Sequence, residues 1–94
     1  MSRKNIPWEE ARAVILNNPE AREAYEFEIR AEKMAALLES WRKNAGLTTS
    51  QVAEKMGVSQ STVSRLENNA IKAGVDTLYR YARACGVTRF EIVI

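Results

Sequence analysis

Five polar side chains crowd one short stretch: Gln60, Ser61, Thr62, Ser64 and Arg65. None is a nucleophile with a base beside it. All form hydrogen bonds, and two have planar, two-point geometry. A glutamine amide matches the N6 and N7 edge of adenine, and an arginine guanidinium matches the O6 and N7 edge of guanine. Val63 and Leu66 interleave at helical spacing. The pattern is a helix with an apolar back and a polar outer face, starting at an N-terminus whose N–H groups attract phosphate. The plainer reading is an ordinary solvated helix face.

Catalytic chemistry is poorly supplied. The 94 residues include no histidine and one cysteine, Cys85. That removes zinc sites, Ser-His and Cys-His nucleophile systems, and an internal disulfide framework. No carboxylate pair sits in an apolar setting that would tune one as acid and the other as base, and no Gly-rich phosphate loop is present. The expectation is a protein that is not an enzyme, with no metal and no cofactor. Cys85 falls on the apolar side of its segment and reads as a small buried hydrophobe.

The elements that position the polar stretch follow from punctuation. Pro7 and Pro19 each open a helix from its first position. Residues 8–16 form a short amphipathic helix, and Asn18 caps the next. Residues 19–44 lack glycine and proline and are rich in Ala, Glu, Arg and Leu. Met34, Leu37, Leu38, Trp41 and Ala45 draw one apolar stripe there. The residues before it fit that stripe less well, which leaves open whether 19–44 is one helix or two joined by a kink near Glu26–Glu28. Gly46 ends it. Thr48 and Gln51 form a capping box before Val52, Ala53 and Met56. Gly57 stops that helix and Ser59 caps the next. Asn68-Asn69 ends it, asparagine tolerating the left-handed conformation. Residues 70–75 form a loop. Residues 76–85 form a helix burying Leu78, Tyr81, Ala82 and Cys85, and Gly86 stops it. Residues 88–94 alternate Phe90, Ile92 and Ile94 with Arg89, Glu91 and Val93, the pattern of a strand that needs a partner.

Two short capped helices joined by Gly-Val-Ser are the layout of a helix-turn-helix that lays its second helix in the major groove of duplex DNA. Charge is compatible with that. Residues 1–40 hold six Lys/Arg against eight acids, and residues 41–94 hold eight against four. A basic C-terminal half suits a polyanion and an acidic N-terminal half suits a basic protein, although differences this small also arise from scatter. No apolar run reaches the roughly 20 residues that span a bilayer, and no apolar stretch follows the basic N-terminus as in a signal peptide. A cytoplasmic location without membrane contact is expected.

Residues 42–69, RKNAGLTTSQVAEKMGVSQSTVSRLENN, with 76–86, DTLYRYARACG, resemble the Cro/CI-type (XRE) helix-turn-helix family of repressors. The resemblance implies an all-α, Cro/CI-like helical bundle with an N-terminal helical extension (1–27), a helix-turn-helix domain (28–87) and a short C-terminal β-strand (88–94). It implies DNA contacts from Thr49, Ser50, Gln60, Ser61, Thr62, Ser64, Arg65 and Asn68. Relatives usually have the longer Gln at Thr49, where it touches phosphate. They mostly have Gly at Asn69, and Asn meets the same backbone demand. Lys72 would touch phosphate or be solvated. Arg42 and Glu67 match a partly buried structural ion pair.

The flank NPEAREAY, residues 18–25, and the apolar end of the chain are similar to HigA-like antitoxins, partners of RelE/HigB-type ribonuclease toxins. That similarity implies two tasks: neutralising a basic toxin through a surface including Trp8, Arg12, Glu20, Glu23 and Tyr25, and repressing its own operon as a homodimer on an inverted-repeat operator. The alternatives are a stand-alone or phage-type repressor without a toxin, and a protein-binding module that has lost DNA. The strand would pair across the homodimer, add to the toxin's sheet, or fold back on its own domain.

Overall fold

The computed structural model describes residues 8–89, which are helical and irregular with no strand among them. The helices are α1 (Trp8–Asn17), α2 (Pro19–Asn44), α3 (Thr49–Met56), α4 (Gln60–Asn68) and α5 (Val75–Ala84), with a 3-10 turn at Ala70–Lys72 before α5. The alternating residues of the expected strand from Phe90 onward lie outside the described residues, and 87–89 are irregular. No described helix is long and apolar enough to cross a membrane.

Local side-chain chemistry sets most boundaries. The Asn18 carboxamide oxygen accepts from the Glu20 and Ala21 N–H groups at 3.0 and 3.1 Å, with Pro19 in the first turn. From there α2 runs 26 residues without a break, about 39 Å at 1.5 Å per residue. The break left open near Glu26–Glu28 does not occur. Strong helix formers carry the backbone through a stretch that buries almost nothing: residues 22–28 are exposed, Tyr25 and Phe27 included. α1 packs along α2. At the other end Gly46 takes φ +72°, its N–H reaches Lys43 O at 2.9 Å, and Leu47 N–H reaches Arg42 O at 3.1 Å. A left-handed residue there closes the last carbonyls, and only glycine does so without strain.

The capping box of α3 is complete. Gln51 N–H donates to Thr48 Oγ1 at 3.1 Å and Thr48 N–H donates to Gln51 Oε1 at 2.9 Å. Gly57 ends α3 at φ +72°, and Ser59 Oγ accepts from Thr62 N–H at 3.2 Å to start α4.

Three expectations need correction. Asn69 has φ −125°, not a left-handed conformation, so the chain leaves α4 without the turn that would favour glycine. The expected loop at 70–75 opens as a 3-10 turn, because Ala70 is buried under α2 and Ala73 N–H bonds to Ala70 O at 3.0 Å. Ala45 is exposed, since it lies beyond the last turn of α2 as its C-cap.

Met34, Leu38, Val52, Ala53, Val63, Ala70, Leu78, Tyr81 and Cys85 form one core, with Leu37 and Trp41 half-buried against it. One polar knot crosses this core. Arg42 Nε of α2 lies 2.7 Å from Glu67 Oε2 of α4, and Arg42 Nη1 also donates to Leu47 O at 3.2 Å. The Tyr81 hydroxyl of α5 donates to the same Glu67 oxygen and lies 2.9 Å from Leu38 O of α2. The Arg42 and Glu67 side chains are only 13% and 12% exposed, so removing one partner strands a largely desolvated charge. The surface pair Lys43–Glu39, 65% and 47% exposed, has no such leverage.

Arg42→Ala is therefore expected to destabilise the fold by about 2–4 kcal/mol in urea unfolding, against under about 1 kcal/mol for Lys43→Ala. A second expectation concerns alkali. Burial first, then the bond to Glu67, pushes the Tyr81 phenol above its ordinary value, and burial does the same to the Cys85 thiol. Both stay protonated in the fold while the unfolded chain loses these protons near its ordinary values of about 9 and 10. Their contribution is complete below those values and is lost as pH rises above them. Between pH 10 and 11 the wild type should lose about 1 kcal/mol more stability than Tyr81→Phe, measured by denaturant unfolding at each pH.

Candidate nucleic-acid interface

α3 and α4 pack against each other across the Gly57-Val58-Ser59 turn. Val63 is fully buried and Leu66 half-buried behind α4. Gln60, Ser61, Arg65 and Asn68 are exposed and Ser64 partly so, at the spacing of one helical face. Ser50 is exposed in the first turn of α3, and Thr49, which opens that helix, is half-buried. The structure thus brings the front of α3 and the outer face of α4 onto one surface.

That surface has two kinds of polar group. The first is braced. Gln60 Nε2 donates to Thr49 Oγ1 at 2.9 Å. The Ser61 and Thr62 hydroxyls lie 3.1 and 2.8 Å from Ser59 Oγ, inside the cap of α4. The second is unbraced. The Arg65 and Lys72 side chains make no ion pair or hydrogen bond with any described residue, so both charges face solvent, ready for an anionic partner. Lys72 sits at the end of the 3-10 turn and lines one open groove with Arg65 and Asn69.

Arg80 and Thr77 of α5 line the same groove. Arg80 is absent from the residues singled out by sequence. It stays near the surface, 3.3 Å from Asp76 in an exposed pair, and extends the basic edge of the site to Arg65, Lys72 and Arg80. Its spacing from Leu78 and Tyr81 marks it as outward-facing. Nothing in the sequence says that this outward face meets α4.

Arg42 and Glu67 lie behind the reading face rather than on it. Through them the C-terminal end of α4 is tied to α2. The remaining group, Trp8, Arg12, Glu20, Glu23 and Tyr25, lies on α1 and the start of α2, and the last four line no part of the groove.

The arrangement suits a duplex. A short helix presents amide, hydroxyl and guanidinium groups at its front and outer face, with positive charge flanking it to meet phosphate. Among the described residues no group of acidic side chains and cysteine is arranged to hold a metal ion.

Known proteins share this part of the chain. The sequence profile of the helix-turn-helix family matches residues 38–92. An uncharacterized HTH-type transcriptional regulator of Methanothermobacter thermautotrophicus is 34% identical over 58 residues, 62% of this chain and 84% of that protein. Another of Sinorhizobium fredii is 40% identical over 52 residues, 55% of this chain and 68% of that protein. No solved structure matches.

On duplex DNA carrying a preferred site, Arg65→Ala is expected to weaken binding by about 1–3 kcal/mol and relax preference at one base pair. Lys72→Ala should weaken all duplexes alike and reduce the slope of log K against log salt by about one. Competition binding at several salt concentrations separates the two. Equal loss on every sequence for Arg65→Ala would reassign it to phosphate.

Proposed function

Because the chain belongs to the helix-turn-helix family, we propose that it is a sequence-specific DNA-binding transcriptional repressor, and more narrowly an antitoxin that also restrains a RelE/HigB-like toxin. The observation that carries the first part is the face of α4: five polar side chains over a buried Val63, with Arg65 unpaired. One such helix reads only a few base pairs. A homodimer would set two of them about 34 Å apart, one turn of duplex, and so read an inverted repeat. No catalytic step belongs to this reading.

The narrower part rests on the segment before the family match. α1 and the first half of α2 project exposed Arg12, Glu20, Glu23 and Tyr25, with Trp8 opening α1. Residues 8–37 hold seven glutamates against four basic residues. That surface is suited to a small basic protein, as expected of a RelE/HigB-like ribonuclease toxin. A stand-alone repressor is the second reading, and it agrees equally with two relatives named as transcriptional regulators.

Co-expression with the protein encoded beside it decides between them. The antitoxin reading expects a stable complex, and growth arrest when the neighbour is expressed alone. A chain lacking residues 1–27 should keep its affinity for operator DNA and lose the neighbour. No complex and no toxicity would leave the stand-alone repressor. Toxin retained by the truncated chain would move the contact to another surface.

A further inference from the structure

We infer that the acidic start of α2 in one copy of the chain docks into a basic groove between α3 and α5 of another copy, joining copies beyond the pair that reads an inverted repeat. The contact goes beyond the DNA-binding and antitoxin readings and does not depend on either.

Two surfaces of opposite charge carry it. The first is an arm, the part of α2 that precedes the core. Glu20, Glu23, Glu26 and Glu28 are exposed there and make no ion pair with any described residue. Arg22 is the only basic residue from 20 to 28. Glu20, Glu23 and Phe27 fall three and four positions apart, so they share one helix face. Phe27 is 40% exposed, a large apolar ring held in solvent.

The second surface is an open groove between the end of α3 and the outer side of α5. Lys55, Arg80 and Arg83 line it around Met56 and Tyr79. No described carboxylate lines it, Glu54 beside Lys55 included. Lys55 is exposed and has no partner among the described residues. Arg83 Nη1 donates to the Tyr79 hydroxyl at 2.7 Å, and its guanidinium lies 5.5 Å from the ring centre. Both side chains stay exposed. This groove shares only Met56 and Arg80 with the one beside α4.

The two surfaces match in chemistry and spacing. Glu20 and Glu23 stand one helical turn apart, as do Arg80 and Arg83. A helix about 10 Å across, laid along the groove, sets these carboxylates against the cations and Phe27 over Met56 and Tyr79. An aromatic contact ringed by exposed charge pairs has the composition of a transient interface. The arm does not make this contact within its own chain. No residue before Lys55 lines the groove, and α2 runs as one helix from the arm into the core, so the arm is not free to fold into it. The groove it meets belongs to another copy. Such a contact is heterologous and repeats from copy to copy. Exposed pairs are individually weak and screened by salt, so it forms at high local concentration, as on adjacent sites of one duplex.

The test is sedimentation equilibrium of the full chain at rising concentration, in about 0.05 M and about 0.5 M salt. The wild type is expected to assemble beyond a dimer at the lower salt and not at the higher. Glu20→Lys/Glu23→Lys, Lys55→Glu/Arg83→Glu and a chain with all four changes are compared with it. Each double variant should weaken the association about tenfold or more. Lys55→Glu/Arg83→Glu takes the net charge from +2 to −2, the same magnitude, so overall self-repulsion does not account for a loss. The four changes together return the net charge to +2 with the two signs exchanged, and should restore the association. Phe27→Ala should weaken it with every charge in place. Circular dichroism melts accompany each variant. Lys55→Gln/Arg83→Gln, which should also weaken the association, serves where reversed charges disturb α3 or α5.

Association that survives either double reversal, or that the four changes do not restore, would overturn the inference. So would a wild type that never exceeds a dimer at low salt. If Lys55→Glu/Arg83→Glu weakens binding to a duplex with one site and leaves self-association intact, the groove holds phosphate and the inference fails. If Glu20→Lys/Glu23→Lys loses the protein encoded beside this one and leaves self-association intact, the arm belongs to that partner and the inference fails likewise.

Discussion

The Glu67 carboxylate is the point where three helices meet. It belongs to α4, receives the Arg42 guanidinium from α2, and receives the Tyr81 hydroxyl from α5. Without those donors a carboxylate this enclosed would be expensive to keep charged. With them it fixes the C-terminal end of the reading helix to the rest of the core, while Val63 and Leu66 fix its inner face. The core is small, and apolar packing alone tolerates sliding of one short helix on another. Directional bonds from two sides do not. Trp41 stands with its ring centroid 6.3 Å from that of Tyr81, so the knot is also flanked by aromatic surface that limits water.

The front of α4 is held by different means. Its first turn is bound by hydroxyl contacts around Ser59 and by the bridge from Gln60 to Thr49. Neutral hydrogen bonds at an exposed helix start are individually weak, typically about 1 kcal/mol. Their effect lies in geometry: they reduce the number of poses the reading groups visit before meeting a ligand. Arg65, one turn further on, has no such brace. A guanidinium with a long stem adapts to where a guanine or a phosphate lies, at the cost of ordering on contact. The interface thus combines a preset front with an adaptable middle.

Much of this was legible in the sequence because helix ends are written in single residues. Asn18, Thr48 with Gln51, Gly57 and Ser59 each act through bonds to neighbours within about four positions, so spacing alone exposes them. The buried faces of α4 and α5 follow from helical period in the same way. What escaped depends on tertiary placement. Asn69 looked like a left-handed stop, but the buried Ala70 under α2 sets the local path instead and yields a 3-10 turn. Continuity of α2 past Glu26–Glu28 could not be read from an apolar stripe, since propensity rather than burial sustains it there. Arg80 became part of the site only when α5 was seen to share a groove with α4.

The long α2 gives the molecule its proportions, 46 × 30 × 20 Å, and joins its two ends mechanically. Its C-terminal half supplies Met34 and Leu38 to the core and Arg42 to the knot, whereas its start lies against α1. A kink or flexible linker between these halves would let anything bound at α1 swing independently of the reading helix. An unbroken helix does not. The direction in which the extension projects is set by the same helix that anchors α4. In a dimer on an inverted repeat, two such arms would project at symmetry-related angles.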